Sequence, residues 1–303
     1  MARIALKIDV DTWRGTREGV PPLTALLREA GAGATFLFSL GPDHTGRAIF
    51  RALRPGFLQK VSRTSVVEHY GLRTLLYGVL LPGPDIGLRE AATLRAVRAA
   101  GFEVGVHCWD HVRWQDHLLA RDAAWAHAEM RRALERFTQI FGTAARVHGA
   151  AGWQFNEAAA HAEQEMGIAY ASDTRGTHPF MPVAACGAPI GPAQLPTTLP
   201  TLDELIGLGG ITEDNVHEHL LERTHSATQD HVYTLHAELE GMRLQHVLRS
   251  LIAGWRTQGH ALVSLADLHA TLDPATLPRL RIAQGTIAGR SGLLALQGEP
   301  VAA

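Results

Sequence analysis

The sequence lacks the features that mark disulfide-rich, membrane-spanning and nucleic-acid-binding proteins. Among 303 residues it has two cysteines, Cys108 and Cys186, too few for a disulfide framework and compatible with a reducing compartment. No apolar run approaches the roughly 18 residues that a membrane-spanning helix needs. The formal net charge is −2, so no overall positive field attracts nucleic acid. We therefore expect no nucleic-acid partner.

The N-terminus also lacks the pattern of a secretory signal. Its short apolar stretch is broken by Lys7 and no cleavage-like site follows, so residues 4–10 read as a β-strand. This favours a soluble or peripheral protein of the cytoplasm. The one unusual figure in the composition is the number of histidines, 17. Most of these must lie at the surface, and a single histidine therefore carries little information.

Short β-like runs alternate with longer helical stretches along most of the chain. Repeated β–α units indicate parallel strands, in an α/β barrel or a doubly wound sheet. No linker or repeat divides the sequence, so we expect one domain over residues 1–303. Residues 177–202 are rich in Pro and Gly and predict a loop, and an irregular tail is expected from Asp273 on.

Residues 41–87 are too long for a plain β–α connection and predict a helical insertion. The segment is cationic and also strongly apolar, a composition typical of a helix that lies on an anionic membrane surface. A buried helical hairpin that covers the barrel explains it equally well. Between Arg47 and Arg73, where Glu68 is the one acidic residue, the basic residues are Arg47, Arg51, Arg54, Lys60, Arg63 and Arg73.

Paired carboxylates end the first predicted strand. Alternation along a strand puts Asp9 and Asp11 on one face. In an α/β barrel, active sites lie at the C-terminal ends of the strands. Two close carboxylates favour a bound cation or a shared proton. The alternative, an aspartate that only caps the next helix, is about as frequent for such a pair.

A His-x-x-x-His segment follows the third predicted strand. The four-residue spacing of His107 and His111 would bring both imidazoles to one side of a helical turn, as a metal site needs. Among 17 histidines a chance pair is not rare, but the position directly after a strand favours a metal. For Cys108, which lies between them, a small packing role is favoured.

Two other strand ends carry ionisable residues. His236 ends a late strand, and Asp173 and Arg175 follow another, where they would also fit a local ion pair. Predicted strand interiors are nearly all apolar or small. The convergence of four polar strand ends indicates one active site more strongly than any single motif does.

The order Asp-x-Asp, His-x-x-x-His, Ser-Asp and Leu-His resembles the NodB-type polysaccharide deacetylases, carbohydrate esterase family 4. The resemblance implies an α/β fold with a distorted (β/α)7-type barrel. It is closer to one branch, which removes the formyl group from 4-deoxy-4-formamido-L-arabinose linked to undecaprenyl phosphate. The stretches that carry this likeness are residues 8–21, 41–43, 150–153, 172–176, 199–204, 233–241 and 287–290.

The resemblance implies a divalent metal held by Asp11, His107 and His111. One carboxylate and two imidazoles suit Zn²⁺, Mn²⁺, Co²⁺, Ni²⁺ or Fe²⁺, and the sequence does not choose among them. Two tryptophans, Trp109 and Trp153, are candidates for the wall of an acyl pocket. A buried tryptophan is as often part of the core.

The resemblance also implies the acid–base residues. Asp9 would be the catalytic base and His236 the general acid, with Asp173 holding and polarising His236. The family's Arg-x-Pro motif, whose arginine steadies the base, is missing near Arg146, where no proline follows. Arg175 is the candidate substitute.

The implied reaction is hydrolysis of a linear amide C–N bond. It would give formate and the 4-amino sugar lipid that serves lipid A modification and resistance to polymyxin and other cationic peptides. The implied partners are a polyprenyl-phosphate-linked aminosugar and the anionic inner face of the cytoplasmic membrane. A deacetylase of soluble oligosaccharides and a catalytically inactive metal- or lipid-binding relative are the alternatives. The basic, apolar insertion argues against a deacetylase of soluble oligosaccharides. The presence of both Asp9 and His236 argues against an inactive relative.

Overall fold

The structure, a computed structural model, describes residues 2–53 and 71–300. Its strands are β1 (Arg3–Val10), β2 (Thr35–Ser39), β3 (Glu103–Cys108), β4 (Val147–His148), β5 (Tyr170–Ala171), β6 (Met181–Pro182), β7 (Ala193–Gln194), β8 (His231–His236), β9 (Ala261–Val263), β10 (Arg279–Gly285) and β11 (Leu294–Pro300). Its α-helices are Val20–Glu29, Ile86–Arg89, Ala91–Ala99, His111–His117, Ala123–Phe141, Glu157–Glu165, Leu202–Leu205, Val216–Thr224, Gln245–Thr257 and Leu265–His269. A π-helical turn spans Gly15–Gly19.

The main sheet is parallel and curls into a half-barrel, which confirms the expected fold class. Its strand order is β7-β5-β4-β3-β2-β1-β8, and β9 pairs with the first residues of β1. Helices join the successive strands and pack on the outside. Because all these strands run the same way, their carboxyl ends lie along one rim of the half-barrel. That rim is where the polar strand ends predicted from the sequence converge.

The central strand β1 is buried on both faces, as a parallel strand covered by helices must be. Ile4, Leu6 and Ile8 alternate with the inward residues and pack in the large cluster between sheet and helices. Ala5 belongs to the smaller cluster inside the half-barrel. Apolar residues therefore fill the lower interior, and the inward positions above Ala5 are polar.

The long helix Ala123–Phe141 shows how local sequence sets the ends of a helix. The Asp122 side chain accepts a hydrogen bond from the backbone N–H of Trp125, which caps the N-terminus. Gly142 follows the last turn with a φ of 70°, a left-handed conformation that glycine adopts without strain. Gly142 marked the C-terminal end in the sequence, whereas the helix predicted from Asp116 is in fact two helices and a 3-10 turn, with the long helix starting only at Ala123.

The chain end departs from the expectation. The irregular tail predicted from Asp273 on is wrong, because β10 and β11 form an antiparallel pair and β10 also runs parallel to β6. Leu280, Leu294 and Ala295 are buried in this small sheet. The pairing of β10 with β6 joins segments far apart in the chain, which local sequence patterns do not reveal, whereas β10 and β11 are neighbours in sequence and were simply missed.

The described part of the 41–87 segment contains short 3-10 turns, at Thr45–Leu53 and Thr74–Leu76, and the single α-helical turn that starts at Ile86. The middle of the predicted helical insertion, residues 54–70, lies outside the described residues. Within the described ranges, no helix combines the length and the apolar character required to cross a bilayer.

Candidate metal and catalytic site

Two aspartates and two histidines converge at the rim of the half-barrel. Asp9 and Asp11 are carried by the end of β1, and His107 lies in β3. His236 ends β8, whose register places it directly beside Asp9. The sheet topology thus brings together residues that are more than 200 positions apart in the sequence.

Asp11 lies between the imidazoles of His107 and His111. Its Oδ1 is 3.2 Å from His107 Nε2, and its Oδ2 is 3.5 Å from His111 Nε2. Burial alone would raise the pKa of Asp11, but the nearby imidazoles, His111 first, hold it well below its usual value. Asp11 therefore remains an anionic ligand in a nearly closed site.

The donor set fits a divalent metal. The donor atoms of Asp11, His107 and His111 all lie within 4.8 Å of one another. Asp11 Oδ1 is buried and makes no hydrogen bond to any described residue. His107 Nδ1 donates to the carbonyl of Gly149 at 2.6 Å, which leaves Nε2 as the free lone pair facing Asp11. Such a set of one carboxylate and two imidazoles is typical of Zn²⁺ and related ions.

The two histidines reach this position in a different way from the one predicted. The expectation of a common helical turn is wrong, because His107 lies in β3 and His111 is the first residue of the helix His111–His117. The Asp110 side chain caps that helix by accepting from the Arg113 N–H, and it also bonds His44 Nδ1 at 2.6 Å. A strand end followed by a capped helix start therefore sets the distance between the imidazoles.

Asp9 is buried beside Asp11 but has other neighbours. Its Oδ2 is 3.5 Å from the ammonium group of Lys7, and its Oδ1 is 3.8 Å from His107 Nδ1. Oδ1 accepts no hydrogen bond within residues 2–53 and 71–300. One oxygen of Asp9 thus faces a cation, while the other is available to a ligand or a proton.

His236 is half-buried, and its backbone is held by a hydrogen bond. The backbone N–H of His236 donates to Glu240 at 2.9 Å, and the other oxygen of Glu240 accepts from the hydroxyl of Tyr233. The ring Nδ1 is buried and lacks a hydrogen-bond partner among the residues that the structure describes. The charge of His236 also helps to lower the pKa of Asp11, so the ring lies near the metal ligands.

Asp173 does not form the expected hydrogen bond to His236. It lies 2.9 Å from His148 Nδ1 and accepts from Gln194 Nε2 and the Ala150 N–H. Burial favours the neutral acid, but His148 and these donors lower the pKa of Asp173. The predicted partner was wrong because β4, which carries His148, lies next to β5 in the sheet, and no sequence pattern predicted this neighbour.

Arg175 does not reach Asp9 and is fully engaged elsewhere. It forms an ion pair with Glu204 at 2.5 Å and donates to the carbonyls of Thr197 and Leu199. Arg146 is exposed at the start of β4. The ammonium group of Lys7 is the cation beside the Asp9 carboxylate instead, and the sequence prediction missed it. The missed signal was a lysine inside a buried strand, on the same face as both aspartates.

The two tryptophans occupy core positions near the rim. Trp153 is buried, donates to Thr197 Oγ1, and lies against the guanidinium groups of Arg175 and Arg290. Trp109 is half-buried and lies under Arg136. These packing contacts are enough to explain the positions of both indole rings. Cys108 is buried, as a packing residue would be, and burial raises the pKa of its thiol well above the usual value.

Comparison with known proteins places this site in a family. The model of the polysaccharide deacetylase family matches residues 3–171, which include β1 to β5 and both aspartates and histidines of the metal site. The Shewanella sediminis (strain HAW-EB3) protein named "Probable 4-deoxy-4-formamido-L-arabinose-phosphoundecaprenol deformylase ArnD" is 35% identical over 99% of this chain and 96% of its own. The protein of the same name from Wigglesworthia glossinidia brevipalpis is 31% identical over 93% of this chain and 98% of its own.

Solved structures support the fold at lower sequence identity. The Puue allantoinase superposes with a TM-score of 0.59 at 17% identity, covering 90% of this chain and 92% of its own. The family 4 carbohydrate esterase from Streptomyces lividans, solved with acetate, gives a TM-score of 0.50 at 12% identity over 91% of this chain and 95% of its own. At these identities the likeness concerns the fold alone.

Proposed function

Because the chain belongs to the polysaccharide deacetylase family, in its branch of formamido-arabinose-phosphoundecaprenol deformylases, we propose that it removes the formyl group from that lipid-linked sugar. Enzymes of the family hydrolyse amide C–N bonds, and the products here would be formate and the 4-amino sugar lipid. That lipid would serve lipid A modification. The observation that carries the proposal is the Asp11–His107–His111 donor set with Asp9 and His236 beside it.

The metal would be held by Asp11, His107 and His111. When bound, a divalent ion polarises the formyl oxygen and brings the pKa of a coordinated water to about 7. The protein contributes orientation, since the Gly149 carbonyl fixes the His107 tautomer and Asp110 caps the helix that begins with His111. Zn²⁺, Mn²⁺, Co²⁺, Ni²⁺ and Fe²⁺ all suit this donor set.

Asp9 and His236 would divide the proton transfers. Asp9 has one oxygen without a hydrogen bond in the described structure, which suits it to take the proton of the attacking water. As the C–N bond breaks, the ring of His236 would give a proton to the leaving nitrogen. The two residues lie side by side on neighbouring strands, so a formamide bound at the rim can meet base and acid together.

We further propose that the 41–87 segment docks on the anionic inner surface of the cytoplasmic membrane, where a polyprenyl-phosphate carrier would be embedded. Its described part exposes large apolar side chains, and apolar surface of this kind marks interaction sites. The segment packs near the site, since His44 bonds Asp110 and Tyr77 meets the ring of Trp13. The exposed residues are Ile49, Leu72, Val79, Leu80 and Leu81.

The test of the reaction compares release of formate and acetate from matched lipid-linked 4-formamido and 4-acetamido sugars. We expect formate release that requires a divalent metal and acetate release about 10–200-fold slower, because one added methyl group in a tight pocket is worth about 1–3 kcal/mol. Preferred release of acetate would identify a deacetylase instead. Release of neither product by the metal-loaded protein would support an inactive, binding-only relative and would exclude the proposed activity.

A further inference from the structure

Lys7 is a charged side chain that lies fully buried beneath the rim of the half-barrel. An ammonium group without a partner in such a place costs several kcal/mol, so its partners must account for it. Its Nζ donates to the carbonyl of Ser172 at 2.8 Å and lies 3.5 Å from Asp9 Oδ2. It also lies 5.4 Å from the centroid of the Trp153 ring, a favourable cation–π position.

The surrounding backbone leaves room for this cation. Alternation along β1 places Lys7, Asp9 and Asp11 on the inward face, in that order toward the rim. A Cβ atom on Gly149 would lie 2.4 Å from Leu37 Cδ1 and would also crowd Lys7, at 3.0 Å from its Cε and 3.3 Å from its Nζ. Glycine at position 149 therefore keeps open the space that the ammonium group occupies.

The two carboxylates of β1 thus have different electrostatic partners. Both oxygens of Asp11 face imidazoles, as a metal ligand requires. Asp9 instead has one oxygen toward Lys7 and the other without a hydrogen bond among the described residues. Arg175, the substitute suggested by the sequence, is bound to Glu204 and to backbone carbonyls. The contact with Lys7 therefore distinguishes Asp9 from Asp11.

We propose that Lys7 is the positioning residue of this site: it anchors the Asp9 carboxylate and keeps it from becoming a second carboxylate ligand of the metal. Lys7 thereby supplies, from β1 itself, the cation that the missing Arg-x-Pro motif would provide. The inference rests on the proposed function in that Asp9 acts as the base. Without the ammonium group, the nearest cation left for Asp9 is the metal held by Asp11, and a carboxylate bound there no longer accepts a proton.

The first test compares Lys7→Met, which keeps the length and removes the charge, with Lys7→Arg, which keeps the charge. In formate release we expect Lys7→Met to lower kcat about 100-fold or more, as misplacement of a catalytic group does, with KM changed less than about threefold. Lys7→Arg should stay within about tenfold of the wild-type kcat. Equal losses in both folded variants, or a loss confined to KM, would overturn the proposal.

The second test needs no substrate and follows the Co²⁺ absorption spectrum of the reconstituted proteins. We expect Lys7→Met to shift the spectrum, because Asp9 is then free to join the coordination sphere, and to bind Co²⁺ at least as tightly as wild type. The shift should be absent in Lys7→Arg and in the double variant Lys7→Met/Asp9→Asn. An unshifted spectrum in folded Lys7→Met, or a shift that persists in the double variant, would contradict the role given to Lys7.

The two tests separate this inference from the proposed function. If wild type releases neither formate nor acetate, the deformylase assignment fails, and the Co²⁺ spectra still decide whether Lys7 restrains Asp9. If wild type is active and the spectra do not differ, the Lys7 inference alone fails. If Lys7→Met does not fold, the Lys7→Arg variant tests the proposal. A folded, metal-loaded Lys7→Arg protein whose kcat is about 100-fold or more below wild type overturns the proposal, and an active one supports it.

Discussion

Buried carboxylates inside the half-barrel each lie beside a different cation or donor. Asp11 faces two imidazoles, Asp9 faces Lys7, and Asp173 faces His148. A buried carboxylate without such a partner would be protonated or would destabilise the fold. Neighbouring acids of the same type can therefore take different roles, as ligand, base and structural anion.

Single substitutions should separate the ligand from the base. We expect Asp9→Asn to keep the metal and lose about 1,000-fold or more in kcat, because a general base is worth about 10²–10⁴-fold. His111→Ala should instead lose the metal, since it removes one of three ligands. Metal analysis by mass spectrometry together with formate release distinguishes the two variants. A fully active Asp9→Asn protein would exclude Asp9 as the base.

His148, Glu163 and Asp173 form a second buried group of ionisable side chains. This group should make the free energy of unfolding depend on pH. His148 Nδ1 lies 2.7 Å from Glu163 and 2.9 Å from Asp173. Burial opposes the charge, but the two carboxylates raise the pKa of His148 to about 10. Because this pKa is above the unfolded value of 6.5, the imidazolium stabilises the fold fully below pH 6.5 and progressively less up to about pH 10.

We expect His148→Gln to lower the free energy of unfolding by about 3 kcal/mol at pH 6, since it leaves buried acids without their cation. The deficit should shrink as the pH rises toward 10, by at most about 1.4 kcal/mol per pH unit. Urea denaturation of wild type and His148→Gln at equal metal load and at several pH values measures this difference in the free energy of unfolding. Substitution of the exposed His161→Gln on the helix Glu157–Glu165 is the control; a deficit independent of pH would refute the argument.

At the scale of elements, the loop after β1 is held by a residue from the far end of the chain. Glu238, just beyond β8, accepts through Oε1 from the N–H groups of Asp11 and Thr12 and from the Thr12 hydroxyl. A Cβ on Gly15 would overlap this carboxyl group, which explains glycine at the start of the π-helical turn. The orientation of the ligand Asp11 therefore depends on two elements that the sheet brings together.

Glu238 gives a prediction with a matched control. Burial and the nearby Asp11 charge raise the pKa of Glu238 to about 8, so the side chain is mostly neutral at pH 7. Glu238→Gln keeps a neutral acceptor and should stay close to wild type. Glu238→Ala should weaken metal binding by about 10–100-fold, as loss of a residue that supports a ligand does. Competition with a chromophoric chelator measures the metal affinity of both variants. Equal affinities would show that the hydrogen bonds of Glu238 do not orient Asp11.

The elements also show what a sequence reveals and what it does not. Capped helices and buried alternating strands are local, and β1 and the helix Ala123–Phe141 were predictable for that reason. The small sheet of β6, β10 and β11 and the pairing of Asp173 with His148 depend on contacts between distant segments. The sequence shows a lysine at position 7, but the role of Lys7 depends on the distance between its ammonium group and Asp9. A sequence pattern does not predict that distance.

At the scale of the whole molecule, the catalytic rim and the exposed apolar side chains of the 41–87 segment lie close together. His44 and Trp13 connect the segment to the helix that carries His111 and to the loop after Asp11. A substrate with a polyprenyl tail would keep that tail in the bilayer while its sugar reaches the rim. The proposed docking of the 41–87 segment on the membrane, beside the site, would meet this requirement.

The last prediction concerns binding to vesicles that contain phosphatidylglycerol. We expect the protein to cosediment with these vesicles at low salt and to bind less as the salt concentration rises. Basic residues near the surface attract the anionic lipid in addition to the apolar contact, and salt screens this attraction. Leu72 and Leu80 are largely exposed, at 67% and 74%, so Leu72→Ser/Leu80→Ser should reduce binding about tenfold or more without lowering stability. Leu119→Ser, on an exposed leucine outside the segment, should bind like wild type. Equal binding of both variants, or no binding of wild type at low salt, would exclude the segment as the docking surface.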